Sequence, residues 1–265
     1  MTDTAAQLTI LTRLGFAARG LIYLVISLLI LTTGRAEDPA GALHYLGQGG
    51  GRILLLVITF GLVAYGLWRL SDAAFDIERH SAGKSGVTER LGAAASGVVH
   101  LLLAWQAVKL IQGNASANGD GAQENAQSVL QLPGGGTLLV IIGLILLATG
   151  IFQLIKAAKA SYLKHLEPEI ANQPWAKWSG RLGYAARGFI FLITSFFLVR
   201  AGLDEEASKA GDMGAALAWL DYPWDLLVAA GLFAFGVFSL IEARYRILHD
   251  VPVQGIGQRV KSKFT

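Results

Sequence analysis

The chain has 265 residues, 53% of them hydrophobic and 15% charged, with a net charge of +3 and a mean hydropathy of +0.49. A soluble domain carries about 25% charged residues to keep its surface wetted, so this composition points to a membrane bundle instead. The absence of Cys excludes disulfides, thiolate metal sites and Cys nucleophiles.

Residues 1–13 are polar and mixed and lack the pattern of a cleaved signal peptide. The first apolar segment therefore reads as a retained span. A hydrocarbon layer of about 30 Å needs about 20 helical residues, and six segments meet that length. They run over 14–34, 52–72, 91–112, 136–157, 182–202 and 224–243.

Basic residues orient the spans. With the N-terminus inside, the inner set is Arg13, Arg19, Arg69, Arg79, Lys84, Arg90, Lys156, Lys159, Lys164, Lys177, Arg181, Arg187, Arg244, Arg246, Arg259, Lys261 and Lys263. The outer set is Arg35, Arg52, Lys109, Arg200 and Lys209. This bias implies a multi-pass protein with both termini in the cytoplasm. Trp175 and Trp178 before the fifth span, and Trp219, Tyr222 and Trp224 before the sixth, fit the headgroup zone.

The spans repeat. Arg13-Leu-Gly-Phe-Ala-Ala-Arg19-Gly20 opens span one, Arg90-Leu-Gly-Ala-Ala-Ala-Ser96-Gly97 span three, and Arg181-Leu-Gly-Tyr-Ala-Ala-Arg187-Gly188 span five. The even spans share Gly66-Leu-Trp-Arg-Leu-Ser-Asp72-Ala, Gly150-Ile-Phe-Gln-Leu-Ile-Lys156-Ala and Gly236-Val-Phe-Ser-Leu-Ile-Glu242-Ala. Residues 42–46 and 216–220 read as short amphipathic segments leading into spans two and six. Two spans per unit keep all units in one orientation, unlike inverted transporter repeats. The expected fold class is an all-α membrane protein of three parallel helical hairpins, divided at 1–80, 81–165 and 166–265. The hairpins can close into a pseudo-threefold bundle or stand in a row.

With these motifs the chain resembles a bacterial membrane family labelled domain of unknown function 1206. The resemblance covers nearly the whole chain and implies tandem two-span repeats in a bacterial inner membrane. It implies no activity. Ser96 departs from the repeated pattern, where the other two copies have Arg.

Arg19 and Arg187 each lie six residues past a boundary Arg, about 9 Å deeper at about 1.5 Å per residue. Such a charge must snorkel, pair or bind a ligand. Asp72 and Glu242 sit at comparable depth, so Arg19–Asp72 and Arg187–Glu242 are the expected pairs, each within one repeat. The middle repeat replaces both charges, with Ser96 and Lys156. His100, aligned with Tyr23 and Phe191, reads as a hydrogen-bonded packing residue or a proton carrier. Lys109 reads as snorkelling outward. Gly15, Ala18, Gly20, Gly61 and Gly66, and Gly183, Ala186, Gly188, Gly231 and Gly236, read as close helix contacts, with a substrate groove as the alternative.

No catalytic constellation is visible. Gly47-Gln-Gly-Gly-Gly51 lacks the phosphate-loop pattern and reads as a turn. The five His (44, 80, 100, 165 and 249) lack metal-ligand spacing, and no cofactor is implied. The basic stretch from Arg244 to Lys263 fits anionic lipids at the cytoplasmic face, not nucleic acid. The leading expectation is a non-enzymatic structural or partner-binding membrane component. A transporter or channel for a small solute, ion or lipid, lined by Arg19, Arg187 and His100, is the alternative.

Overall fold

A hydrocarbon layer offers the backbone no partner but itself, so apolar segments of this length fold as uninterrupted helices. The computed structural model describes residues 3–34, 36–48, 51–75, 84–113 and 121–247. Ten α-helices are described: α1 Asp3–Thr33, α2 Pro39–Gln48, α3 Arg52–Phe75, α4 Lys84–Ile111, α5 Gly121–Leu130, α6 Gly135–Lys159, α7 Pro168–Ala171, α8 Pro174–Asp204, α9 Met213–Ala218 and α10 Trp224–Tyr245. Six of them, α1, α3, α4, α6, α8 and α10, are long and apolar enough to cross a membrane. The protein is an all-α bundle of three parallel two-helix repeats. No strand occurs among the described residues.

The spans begin and end near the expected positions, except that α1, α4 and α8 start seven or more residues earlier. Both α1 and α8 run to 31 residues. Pro174 starts α8, a position where its missing N–H costs nothing. Trp175 and Trp178 consequently sit in the first two turns of α8 and are exposed. Of the two short segments read before spans two and six, 42–46 lies within α2, whereas 216–220 overlaps only the end of α9, at 216–218. A third short helix, α5, fills the equivalent place in the middle repeat, where half of the ten residues are polar and no apolar run announces it.

The hairpins close in an order that joins repeats more tightly than it folds them. The even helix of each repeat packs lengthwise on the odd helix of the next: α3 on α4, α6 on α8, and α10 on α1. Within repeats, α1 packs on α3 and α8 on α10. The corresponding pair in the middle repeat, α4 and α6, is not among the packed pairs. Arg187 on α8 meanwhile stacks on Tyr23 of α1, although α8 and α1 are not neighbours round the arc. The six helices therefore form a pseudo-threefold ring opened at one place.

Glycine makes the three junctions between repeats. A Cβ on Gly20 would fall 2.9 Å from the Gly236 carbonyl, one on Gly66 3.1 Å from that of Gly97, and one on Gly150 3.0 Å from that of Gly188. Each pair brings two backbones together, and the Leu four residues beyond each glycine covers its partner. Dispersion contact of this kind holds helices together where lipid removes the hydrophobic drive.

The opening has a local cause. Gly61 of α3 lies against Ala18 of α1, and Gly231 of α10 lies against Ala186 of α8. Ile145 holds that place in α6 and is 61% exposed. Tyr65 and Phe235 lean on Gly15 and Gly183. Thr149 holds their place in α6, bonds its own helix at Ile145 O (2.8 Å), and Gly92 opposite has nothing near it. Over their most apolar 18 residues, only 22% of α4 and of α6 is buried, against 44–56% of the other spans.

Candidate functional site

The candidate residues gather towards the basic end of the bundle, on the inner faces of the helices. That end is built by the boundary arginines. Arg90 donates to the carbonyls of Ala73 and Ala74 at 2.8 and 3.1 Å, and Arg181 to those of Ala157 and Ala158 at 3.1 Å each. Each caps the last turn of the preceding repeat's even helix, where free carbonyls and the helix dipole favour a cation.

Arg19 is saturated. Its Nη2 donates to Glu242 Oε2 at 2.5 Å, its Nη1 to Tyr65 Oη at 3.1 Å and its Nε to Ser239 Oγ at 3.1 Å. Phe16 and Phe235 stack on the guanidinium with centroids at 4.6 and 5.1 Å. Glu242 is 2% exposed, and its second oxygen accepts from Arg246 Nη1 at 2.7 Å. The pairing corrects the expectation from sequence. Arg19 binds the acid of the third repeat, not Asp72 of its own, because α10 is the helix that packs along its face. Asp72 is fully buried and bonds Arg69 Nη1 at 3.3 Å.

Arg187 is the repeat-equivalent of Arg19 and is built differently. It does not pair with Glu242. Three rings surround it: Phe235 at 4.4 Å, Phe191 at 5.1 Å and Tyr23 at 5.2 Å. Among the described residues it has no hydrogen bond or ion pair. Its Nε is sealed from solvent without a partner, while its Nη atoms are not sealed. Tyr23 and Phe235 are 7% and 0% exposed, so the guanidinium faces the interior of the arc and not its outer surface.

The junction beside Arg187 differs from the one beside Arg19 at each polar position. Gln153 stands where Ser239 stands, and Lys156 where Glu242 stands. Gln153 is 6% exposed and its Oε1 has no partner. Lys156 Nζ lies 4.9 Å from the Phe152 centroid and 5.7 Å from that of Tyr184.

Ser96 and His100 share the inner face of α4, four residues apart. His100 Nδ1 donates to the Ser96 carbonyl at 2.7 Å, and the ring rests 4.5 Å from Tyr65. It lies within electrostatic range of Arg19, Arg69 and Arg187. The cations of spans one and five are thus near the His of span three. Lys109 is separate: it is exposed and lies 5.6 Å from the Trp105 ring.

Sequence reasoning missed Tyr65, Phe235, Ser239 and Gln153. The signal was available, since all four sit in or beside the repeated even-span motif. Arg35, Arg79, Arg259, Lys261, Lys263, His80, His249, Gly49 and Gly50, which entered the reading of the sequence, lie outside the described residues.

A family model described as Domain of Unknown Function (DUF1206) matches residues 14–76, 91–160 and 182–246. The chain is also similar to the uncharacterized protein YxxB of Bacillus subtilis (strain 168), 29% identical over 247 residues, which span 88% of this chain and 90% of the relative. No solved structure matches.

Proposed function

The chain belongs to the DUF1206 family, and from that premise we propose that it is a non-enzymatic membrane component that binds an amphiphile from the bilayer in the opening between α4 and α6. The proposed setting is a bacterial cytoplasmic membrane with both termini inside, following the bias of basic residues. Exposed Arg244, at the end of α10, would face anionic lipid there.

One observation carries this reading: the ring is closed at five helix contacts and open at the sixth, in the repeat whose inner residues have diverged. A bundle kept only for structure has no use for Ile145 and Thr149 where its other two hairpins have contact residues. Intramembrane charges that face inward mark binding sites more often than lipid-facing ones do.

The test uses the absence of Cys from the chain. A maleimide carried on a lipid chain should label Ser96→Cys, on the inner face of α4. It should not label Ser239→Cys, which is fully buried at a closed junction. Native mass spectrometry of the detergent-extracted protein should then show a retained amphiphile. No labelling at position 96, or a polypeptide in place of an amphiphile, would sink the proposal.

A second reading is favoured by the nearness of Arg19 and Arg187 to His100: the same site would pass an anion across the membrane. Anion flux into proteoliposomes, absent with Arg187→Gln, would support it.

A further inference from the structure

We infer that Arg187 and its junction form an anion-binding site, shaped for the phosphate of an amphiphile's headgroup. The inference deepens the proposed function and rests on it for the route of entry, though not for the site.

The argument is a comparison inside the molecule. The junction between the third and first repeats holds a guanidinium between aromatic rings and neutralises it with Glu242, while Ser239 accepts from its Nε. The repeat-equivalent of Arg19, Arg187, also lies among aromatic rings, but these are Tyr23 of α1, Phe235 of α10 and Phe191 of its own helix. On α6, the helix packed along α8, the acid position is Lys156 and the Ser239 position is Gln153. Two buried polar atoms, Arg187 Nε and Gln153 Oε1, are left without partners.

Buried polar groups are nearly always satisfied; Gln153 Oε1 is an acceptor, so a donor such as a headgroup hydroxyl, and not the anion itself, is what would meet it. A guanidinium in an apolar layer is costly unless an anion meets it. The chain supplies that anion at Arg19. At the equivalent position on α6 it supplies Lys156 instead, the substitution that suits an anion from outside. The planar fork of Arg matches phosphate oxygens two at a time, and the Nη atoms are the part of the side chain that remains open. The site is on α8 next to α6, one wall of the opening, so a headgroup can reach it while its acyl chains stay in the bilayer.

The decisive variant is Lys156→Glu, which rewrites the junction as a copy of the Arg19–Glu242 pair. Purified protein in zwitterionic detergent is titrated with phosphatidylglycerol, with phosphatidylcholine and with inorganic phosphate, and the melting temperature is followed. Wild type should be stabilised by phosphatidylglycerol and not by phosphatidylcholine. Lys156→Glu should melt higher than wild type without additive and should lose the response. Arg187→Lys, which keeps charge without the fork, should weaken the apparent affinity about tenfold. It also serves where Arg187→Gln fails to fold.

A response to inorganic phosphate that Lys156→Glu abolishes would support the site with a free anion as its source. An equal response in wild type and Lys156→Glu, or none in wild type, would overturn it. The two proposals fail separately. Labelling at Ser96→Cys without any anion response leaves the opening and removes the site. An Arg187-dependent phosphate response without labelling leaves the site and removes the lateral entry.

Discussion

Arg19 and Glu242 lie at opposite ends of the chain and 2.5 Å apart in the fold. Glu242 also holds Arg246, so one buried carboxylate joins the last helix to the first and serves two guanidiniums. Glu242→Leu should therefore strand both cations and cost about 3–5 kcal/mol, the range for removing one partner of a buried pair. Glu242→Gln should cost less, because it still accepts hydrogen bonds. Denaturant unfolding in micelles measures both. Equal losses for the two variants would show that shape, not charge, closes the ring.

The glycine junctions predict a second effect. A Cβ on Gly188 would meet Leu154 at 2.9 Å and the Gly150 carbonyl at 3.0 Å. Backbone cannot yield as a flexible side chain does, so Gly188→Ala should destabilise by about 1–3 kcal/mol. Gly92→Ala is the control: nothing lies near that position, and the change should be neutral or slightly stabilising through helix propensity. Melting curves of the two variants should separate clearly.

The opening itself should be transferable. Gly61 lies against Ala18, and its middle-repeat equivalent is Ile145. Gly61→Ile should splay α1 from α3 and convert the first hairpin to the form of the second. Spin labels on the outer turns of α1 and α3 should report a longer distance than in wild type. An unchanged distance would place the cause of the opening elsewhere.

One outer contact should respond to pH. Burial pushes the Asp38 carboxyl up to about 6, and Asp212 and Glu37 add repulsion, against hydrogen bonds from the Gly41 and Ala40 backbone. Asp38 accepts from Gly41 N at 2.7 Å at the start of α2, and Asp212 accepts from Ala215 N at the start of α9. A raised acid pKa means that the folded state binds the proton more tightly. Stability should then fall as pH rises from 3.8 to about 6, and the Asp38 contribution should be level above that. Asp38→Asn should flatten this part of the profile. A wild-type slope that survives in Asp38→Asn would assign the titration to another group.

Much of this was legible in the chain. The six spans follow from apolar length, because a hydrocarbon layer permits little but a helix. The three repeats follow from the R-L-G and G-x-[FW] motifs, and their parallel sense from two spans per unit. The divergence of the middle copy at Ser96 and Lys156 is visible by inspection. So is Ile145 in the place of two glycines, once the even-span motifs are aligned five residues further back.

Partnership was not legible. Composition and spacing specify what each repeat carries, and the natural assumption keeps Arg19 with Asp72 and Arg187 with Glu242. The fold pairs each even helix with the odd helix of the next repeat, because glycine at Gly20, Gly97 and Gly188 admits a backbone there. That shift of one repeat gives Glu242 to Arg19 and puts Lys156 in the acid position beside Arg187. The residues were set locally, by chain length and small side chains. Which charges meet was set by close packing between distant segments, and only the tertiary structure decided that Arg187 has rings around it and, among the described residues, no acid.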